Sequence, residues 1–134
     1  QNNNNHIAYC WNSVPGYSLF GQYYGNGQSD GKFVYTGFKP AMIMTKRVIG
    51  TDSWQIWDNK RDVDNVMHHR VFPNESSSET TTVDSASSQL DFYSTGFKWR
   101  GQSNDTNGGD VLYVYMAFAE QPAVNQYGSQ SNER

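Results

Sequence analysis

The stretch Val111-Leu112-Tyr113-Val114-Tyr115-Met116-Ala117-Phe118-Ala119 decides the fold class. At nine residues it is too short for a bilayer span, which needs about 20. Its β-branched and aromatic content favours a buried strand over a helix. Working outward, the same chemistry recurs in short runs. Residues 17–24 alternate, with Tyr17, Leu19 and Gly21 on one side and Ser18, Phe20 and Gln22 on the other. Residues 32–38 read as a further strand, interrupted at Pro40. Ala41-Met42-Ile43-Met44-Thr45-Lys46-Arg47, apolar and ending in charge, reads as a central strand. In Trp54-Gln55-Ile56-Trp57, Trp54 and Ile56 share one face, and Gln55 and Trp57 share the other. Residues 6–11 read as a short strand, and 90–100 as one strand broken at Gly96.

Gly/Asn/Ser-rich turns separate these runs, at Val14-Pro15-Gly16, Gly25-Asn26-Gly27, Asp30-Gly31 and 101–110. No helical periodicity is sustained. Residues 58–72 are polar, with scattered Val and Met, and are expected to form a short irregular or helical insertion. Residues 75–88 are expected to be an exposed loop or weak edge strand. The expected fold is all-β: a jelly-roll-like β-sandwich of about eight short strands. The polar ends divide the chain into a linker (1–5), a single module (6–122) and a C-terminal tail (123–134).

Composition agrees. The chain has 134 residues, enough for one domain, and only three Leu. Nine Tyr, seven Phe and four Trp must supply the core that aliphatic residues do not. The net charge of −3 argues against nucleic acid, whose phosphates need a cationic face. Cys10 is the only cysteine, so neither an internal disulfide nor a thiolate metal site is available. The chain opens on Gln1 without a signal-peptide pattern and is expected to be a fragment or processed product.

Two internal echoes stand out. Ile7-Ala8-Tyr9-Cys10-Trp11 echoes Met116-Ala117-Phe118-Ala119-Glu120, as if the end of one unit preceded a complete second one. Tyr35-Thr36-Gly37-Phe38-Lys39 echoes Ser94-Thr95-Gly96-Phe97-Lys98, each Gly bending a strand beside a buried Phe. The ordered series Phe20-Gly21-Gln22-Tyr23-Tyr24-Gly25-Asn26-Gly27, Asp30-Gly31, residues 33–41, Met44-Thr45-Lys46-Arg47 and Ile56-Trp57-Asp58-Asn59-Lys60-Arg61 continues through 74–79, Leu90-Asp91-Phe92, Thr95-Gly96-Phe97 and 113–120. It resembles a domain of unknown function found in phage tail-fibre and other virion structural proteins, especially of marine phages. The resemblance implies a part of the virion surface or fibre, extracellular and homotrimeric, in contact with its own copies or with other virion proteins. It implies no particular ligand.

The aromatics are the leading binding candidates. Tyr23, Tyr24, Trp54, Trp57 and Trp99 lie in or beside polar, Gly-rich segments, with Asn26 and Asp30 near the first two. Such rings can stack on the C–H faces of sugars or fill protein interfaces, or they can be core. Asp58 and Arg61 are expected to form a structural pair. His68-His69 lacks metal-site spacing and is expected to be an exposed polar segment. No cofactor is expected. A calcium ion at Asn26 and Asp30 is the alternative to a tight turn whose side chains satisfy their own backbone. No catalytic motif is present: there is no Gly-x-Ser-x-Gly elbow and no phosphate loop.

The leading expectation is a non-enzymatic virion surface or tail-fibre module for adhesion to a host-surface glycan or protein, or for fibre assembly. Alternatives are a purely structural decoration or spacer domain and, third, a tailspike-type glycan-degrading enzyme. Acidic residues converging in a groove favour the enzyme, whereas exposed aromatics in a shallow pocket favour adhesion.

Overall fold

A computed structural model describes residues 8–81 and 88–121. Among these residues there is no helix and there are nine strands: β1 (Ser18–Tyr24), β2 (Phe33–Tyr35), β3 (Pro40–Arg47), β4 (Gln55–Asp58), β5 (His69–Arg70), β6 (Thr80–Thr81), β7 (Leu90–Tyr93), β8 (Gly96–Trp99) and β9 (Leu112–Ala119). The protein is all-β. The long apolar run at 111–119 becomes β9 and lies between β1 and β3 in a four-stranded antiparallel sheet ordered β1-β9-β3-β4. A three-stranded sheet is ordered β2-β8-β7, and β5 and β6 pair separately.

Alternation along each strand assigns the faces. Tyr113, Tyr115 and Ala117 of β9 are buried, with Ile43 of β3, Trp57 of β4 and Tyr23 of β1. From the other sheet come Val34, Leu90, Phe92, Phe97 and Trp99. The two sets meet in one cluster. Tyr23 stacks on Tyr113 (centroids 5.0 Å apart) and lies 6.3 Å from Trp99, Phe97 is edge-on to Tyr115 (5.5 Å), and Trp57 is edge-on to Trp99 (6.0 Å). Aromatic rings thus take the place of the missing leucines, as offset and edge-on pairs.

Several local expectations need correction. Residues 8–13 form no strand, while His6 and Ile7 lie outside the described residues. The echo of β9 in 7–11 therefore does not mark a repeated strand. Residues 90–100 are a hairpin, β7 and β8 joined through Ser94-Thr95, because Gly96 starts the return strand rather than bending a single one. Its echo Gly37 serves differently, since its φ of +81° belongs to the turn before β3. Pro40 begins β3 rather than breaking it, as suits a first strand position. The insertion is irregular. It is tied to β4 by the Ile56–Val71 bridge and to β7 by the Met67–Leu90 bridge. Residues 80–81 form the short strand β6, and 82–87 lie outside the described residues. So do the tail 123–134 and the linker 1–5.

Candidate functional site

The outward face of the four-stranded sheet is also apolar. In register across all four strands run Phe20, Met116, Met44 and Ile56, all half-buried. The next outward position of β9 is Val114, between Gln22 and Lys46. Phe20, Met116 and Met44 of this row, with Val114, floor a shallow groove of about 1030 Å³. Trp11 stacks on Phe20 (5.8 Å, 20°) at one side, with Tyr9 beyond it. Trp54, Pro73 and Asn74 line the other side. Tyr9 and Trp11 remain 77% and 61% exposed. Among the described residues, no charged side chain lines the groove.

Trp54 is the predicted ring that reaches this groove. Its backbone N–H donates to Asn74 Oδ1 (2.8 Å), and Asn74 Nδ2 donates to Ser53 Oγ (3.2 Å). That holds the 53–54 and 73–74 segments together at the groove's edge. Tyr9, Trp11 and Phe20 are absent from the candidates that the sequence suggests. Phe20 is legible as the bulky outward residue of an alternating strand. Trp11 is hidden because its segment reads as a strand, whereas only tertiary stacking places it.

Three predicted binding residues are core instead. Trp57 and Trp99 are fully buried and Tyr23 nearly so. Each occupies an inward strand position, so none offers a ring face to a ligand. The Tyr23 hydroxyl donates to the Thr106 carbonyl (2.6 Å), and burial raises its pKa well above the usual value, keeping it neutral. Tyr24 is exposed on the outward face at the end of β1, opposite Leu112.

Asn26 and Asp30 have prior commitments. Asn26 Oδ1 accepts from Gln28 N–H and from Asn107 Nδ2, while its Nδ2 donates to the Asp30 carbonyl. The Asp30 carboxylate pairs with Lys98 (2.5 Å), whose hydrogen bond holds its pKa below the usual range. These contacts tie the turn to itself and to Asn107 and Lys98. Among the described residues, no three His, Cys, Asp or Glu side chains gather as a cation site. The hub of this region is the buried Asn107, which nothing in the sequence singles out. Its Nδ2 also donates to the carbonyls of Gln28 and Gly101, and its Oδ1 accepts from the N–H groups of Asn26 and Lys32.

Asp58 and Arg61 form an ion pair, and Asp58 Oδ1 also accepts the backbone N–H groups of Lys60 and Arg61 (3.0 Å each). This caps the turn after β4. Arg61 Nε reaches Glu79 (2.6 Å), joining that turn to the 75–81 segment.

His69 is partnered rather than free. Its Nδ1 lies 2.7 Å from Asp62 Oδ1, while Asp62 Oδ2 accepts the N–H groups of His68 and His69. The hydrogen bond to Asp62 raises the His69 pKa above 6.5, helped by Glu79 and opposed by partial burial and Arg61. Burial alone would raise Asp62, but the bonds from His69 and His68 overcome it and hold its pKa below 3.8. The signs follow from linkage. The His69 contribution is fully present below pH 6.5 and is lost as pH rises through its folded value. The Asp62 contribution is present above pH 3.8 and is lost as pH falls through its depressed value. We therefore expect the melting temperature to decline as pH rises from 6.5 through the raised pKa of His69. His69→Gln should lower the melting temperature at the acid end of that range and flatten the decline, as read by circular dichroism at each pH. A variant that keeps the full slope would remove His69 as its source.

The chain matches the family model described as a domain of unknown function (DUF7483) over residues 1–122, and it belongs to that family. No curated protein and no solved structure matches it.

Proposed function

We propose that this member of the DUF7483 family is a non-enzymatic module of a virion surface or tail fibre, and that it assembles with further copies of itself through the groove. One observation carries the reading: an apolar row crosses all four strands on the solvent side of a sheet, and none of the described residues lining the groove over it is charged. Contiguous apolar surface of this kind marks an interaction site. A lining without carboxylates supports contact over hydrolysis, which needs two acids across a cleft.

Self-association is favoured because the groove carries exposed rings of its own. Tyr9 and Trp11 line the groove and remain largely exposed, so they can pack against the same apolar surface of a second copy. A patch that meets its own copy by itself requires only a pair, and the trimer follows from the family resemblance alone. A charged partner would find nothing to pair with among the described residues of the groove.

The test is sedimentation equilibrium of the full chain, beside Met116→Glu. The expected species for the native chain is near three times 15.2 kDa. The variant should be monomeric with an unchanged circular dichroism spectrum, because a carboxylate placed in the middle of the apolar row cannot be desolvated without a partner. A native chain that stays monomeric at about 100 µM, a concentration that reveals even weak association, overturns the assembly reading.

A further inference from the structure

The outward face of the three-stranded sheet differs in chemistry from the groove. Two cross-strand rows build it: Phe33–Lys98–Asp91 and Tyr35–Gly96–Tyr93. A Cβ on Gly96 would collide with the Val34 carbonyl and touch the tip of the Phe33 ring, so the middle of the second row must stay bare. The rings of Phe33 and Tyr93 meet edge-on (6.0 Å), and Tyr35 is 67% exposed beside them.

Charges rim these rings in matched pairs. Lys98 Nζ lies 2.5 Å from Asp30. Arg100 Nε donates to Asp91 Oδ2 (2.5 Å), and an Arg100 terminal nitrogen donates to the Tyr93 hydroxyl (2.9 Å). That hydroxyl in turn donates to Asp91 Oδ2 (3.1 Å). Asp91 itself is buried beneath Arg100 and the Tyr93 hydroxyl, so it fixes these two groups in place rather than facing solvent. Two carboxylates and two cations cancel, leaving no net charge for an ionic ligand.

We infer that this face is a binding site for a neutral oligosaccharide, distinct from the groove and independent of the assembly it supports. A neutral sugar presents C–H groups on one side of its ring and hydroxyls around the rim. The C–H side suits Tyr35 and Phe33. The hydroxyls can both donate and accept, which suits the exposed Asp30 carboxylate and the Lys98 and Arg100 cations, all already paired. Charge complementarity decides against the other occupants. An apolar protein surface would bury Lys98, Arg100 and Asp30 and return no hydrogen bonds, at a high desolvation cost. An anionic or cationic glycan would find each opposite charge already neutralised. Repetition in an oligomer would convert weak single-site binding into avid attachment.

The experiment is an array of immobilised neutral, sialylated and sulfated glycans, probed with the full chain displayed on streptavidin beads through a C-terminal biotin. The expected result is retention on neutral glycans in preference to the two anionic sets. Tyr35→Ala should lower that retention about tenfold with an unchanged melting curve, since the ring is exposed and its loss leaves the core intact. Tyr35→Phe keeps the ring and should retain most of the signal. The inference is overturned by no retention on any neutral glycan, by preference for the anionic sets, or by Tyr35→Ala binding as the native chain does. Met116→Glu on the same beads separates the two faces. Retention unaffected by that variant places the sugar away from the groove, and its loss would overturn the assignment to this face.

Discussion

Trp99→Ala should destabilise the protein by about 3–5 kcal/mol, the usual cost of removing a large buried ring. Trp99 is fully buried and joins the two sheets: it lies 6.3 Å from Tyr23 and 6.0 Å from each of Trp57 and Phe97. Its backbone also ties in the preceding loop, donating to the Lys32 carbonyl and accepting from Gly31 N–H. With few leucines to close in, the cavity would collapse only in part. Against a typical total stability of roughly 5–15 kcal/mol, such a loss leaves a marginal domain. Urea unfolding should show a large fall in midpoint and a weakened near-ultraviolet signal. Tyr24→Ala, on an exposed ring, should stay within about 0.5 kcal/mol of the native chain. If Trp99→Ala kept its midpoint and lost only glycan binding, the ring would be a ligand face rather than core.

Asn107→Ala should cost about 3 kcal/mol, since each buried donor or acceptor left unpaired costs roughly 1–3 kcal/mol. The amide meets partners on both sides: three acceptors for Nδ2 and two N–H donors for Oδ1. Together they pin the 25–32 loop to the 100–108 segment. Asn107→Asp is the sharper test. It preserves volume and the Oδ1 acceptor but faces a carboxylate toward the carbonyls of Gln28 and Gly101, so it should be at least as damaging as alanine. An aspartate variant of native stability would refute the network. Amide exchange should locate the effect at Gly27, whose N–H donates to the Asn107 carbonyl (2.8 Å), and at the neighbouring loop. That loop carries Asp30, the partner of Lys98 on the proposed sugar face. A second consequence is therefore weaker glycan retention by a variant whose substitution lies outside that face.

These two residues show where sequence reading stops. Trp99 is legible as a strand residue but not as core. Both faces of these strands carry bulk, and a period of two does not say which face meets the second sheet. Trp54 and Trp57 illustrate the point. Their assignment to opposite faces follows from spacing, and the structure puts one at the groove and the other in the core. Asn107 is invisible for another reason. In a segment full of Asn and Gly, nothing local marks the one amide whose partners lie about 80 positions away.

By itself the sequence determined the all-β class, turns such as those at 14–16 and 25–31, and the need for an aromatic core. Each follows from local sterics and composition. Only the tertiary structure decided that β9 pairs with both β1 and β3, that Trp11 stacks on Phe20, and that Phe33, Tyr35 and Tyr93 share a face with paired charges. Those juxtapositions join residues far apart in the chain. Burial of one sheet against the other selects them, and no local propensity encodes that choice.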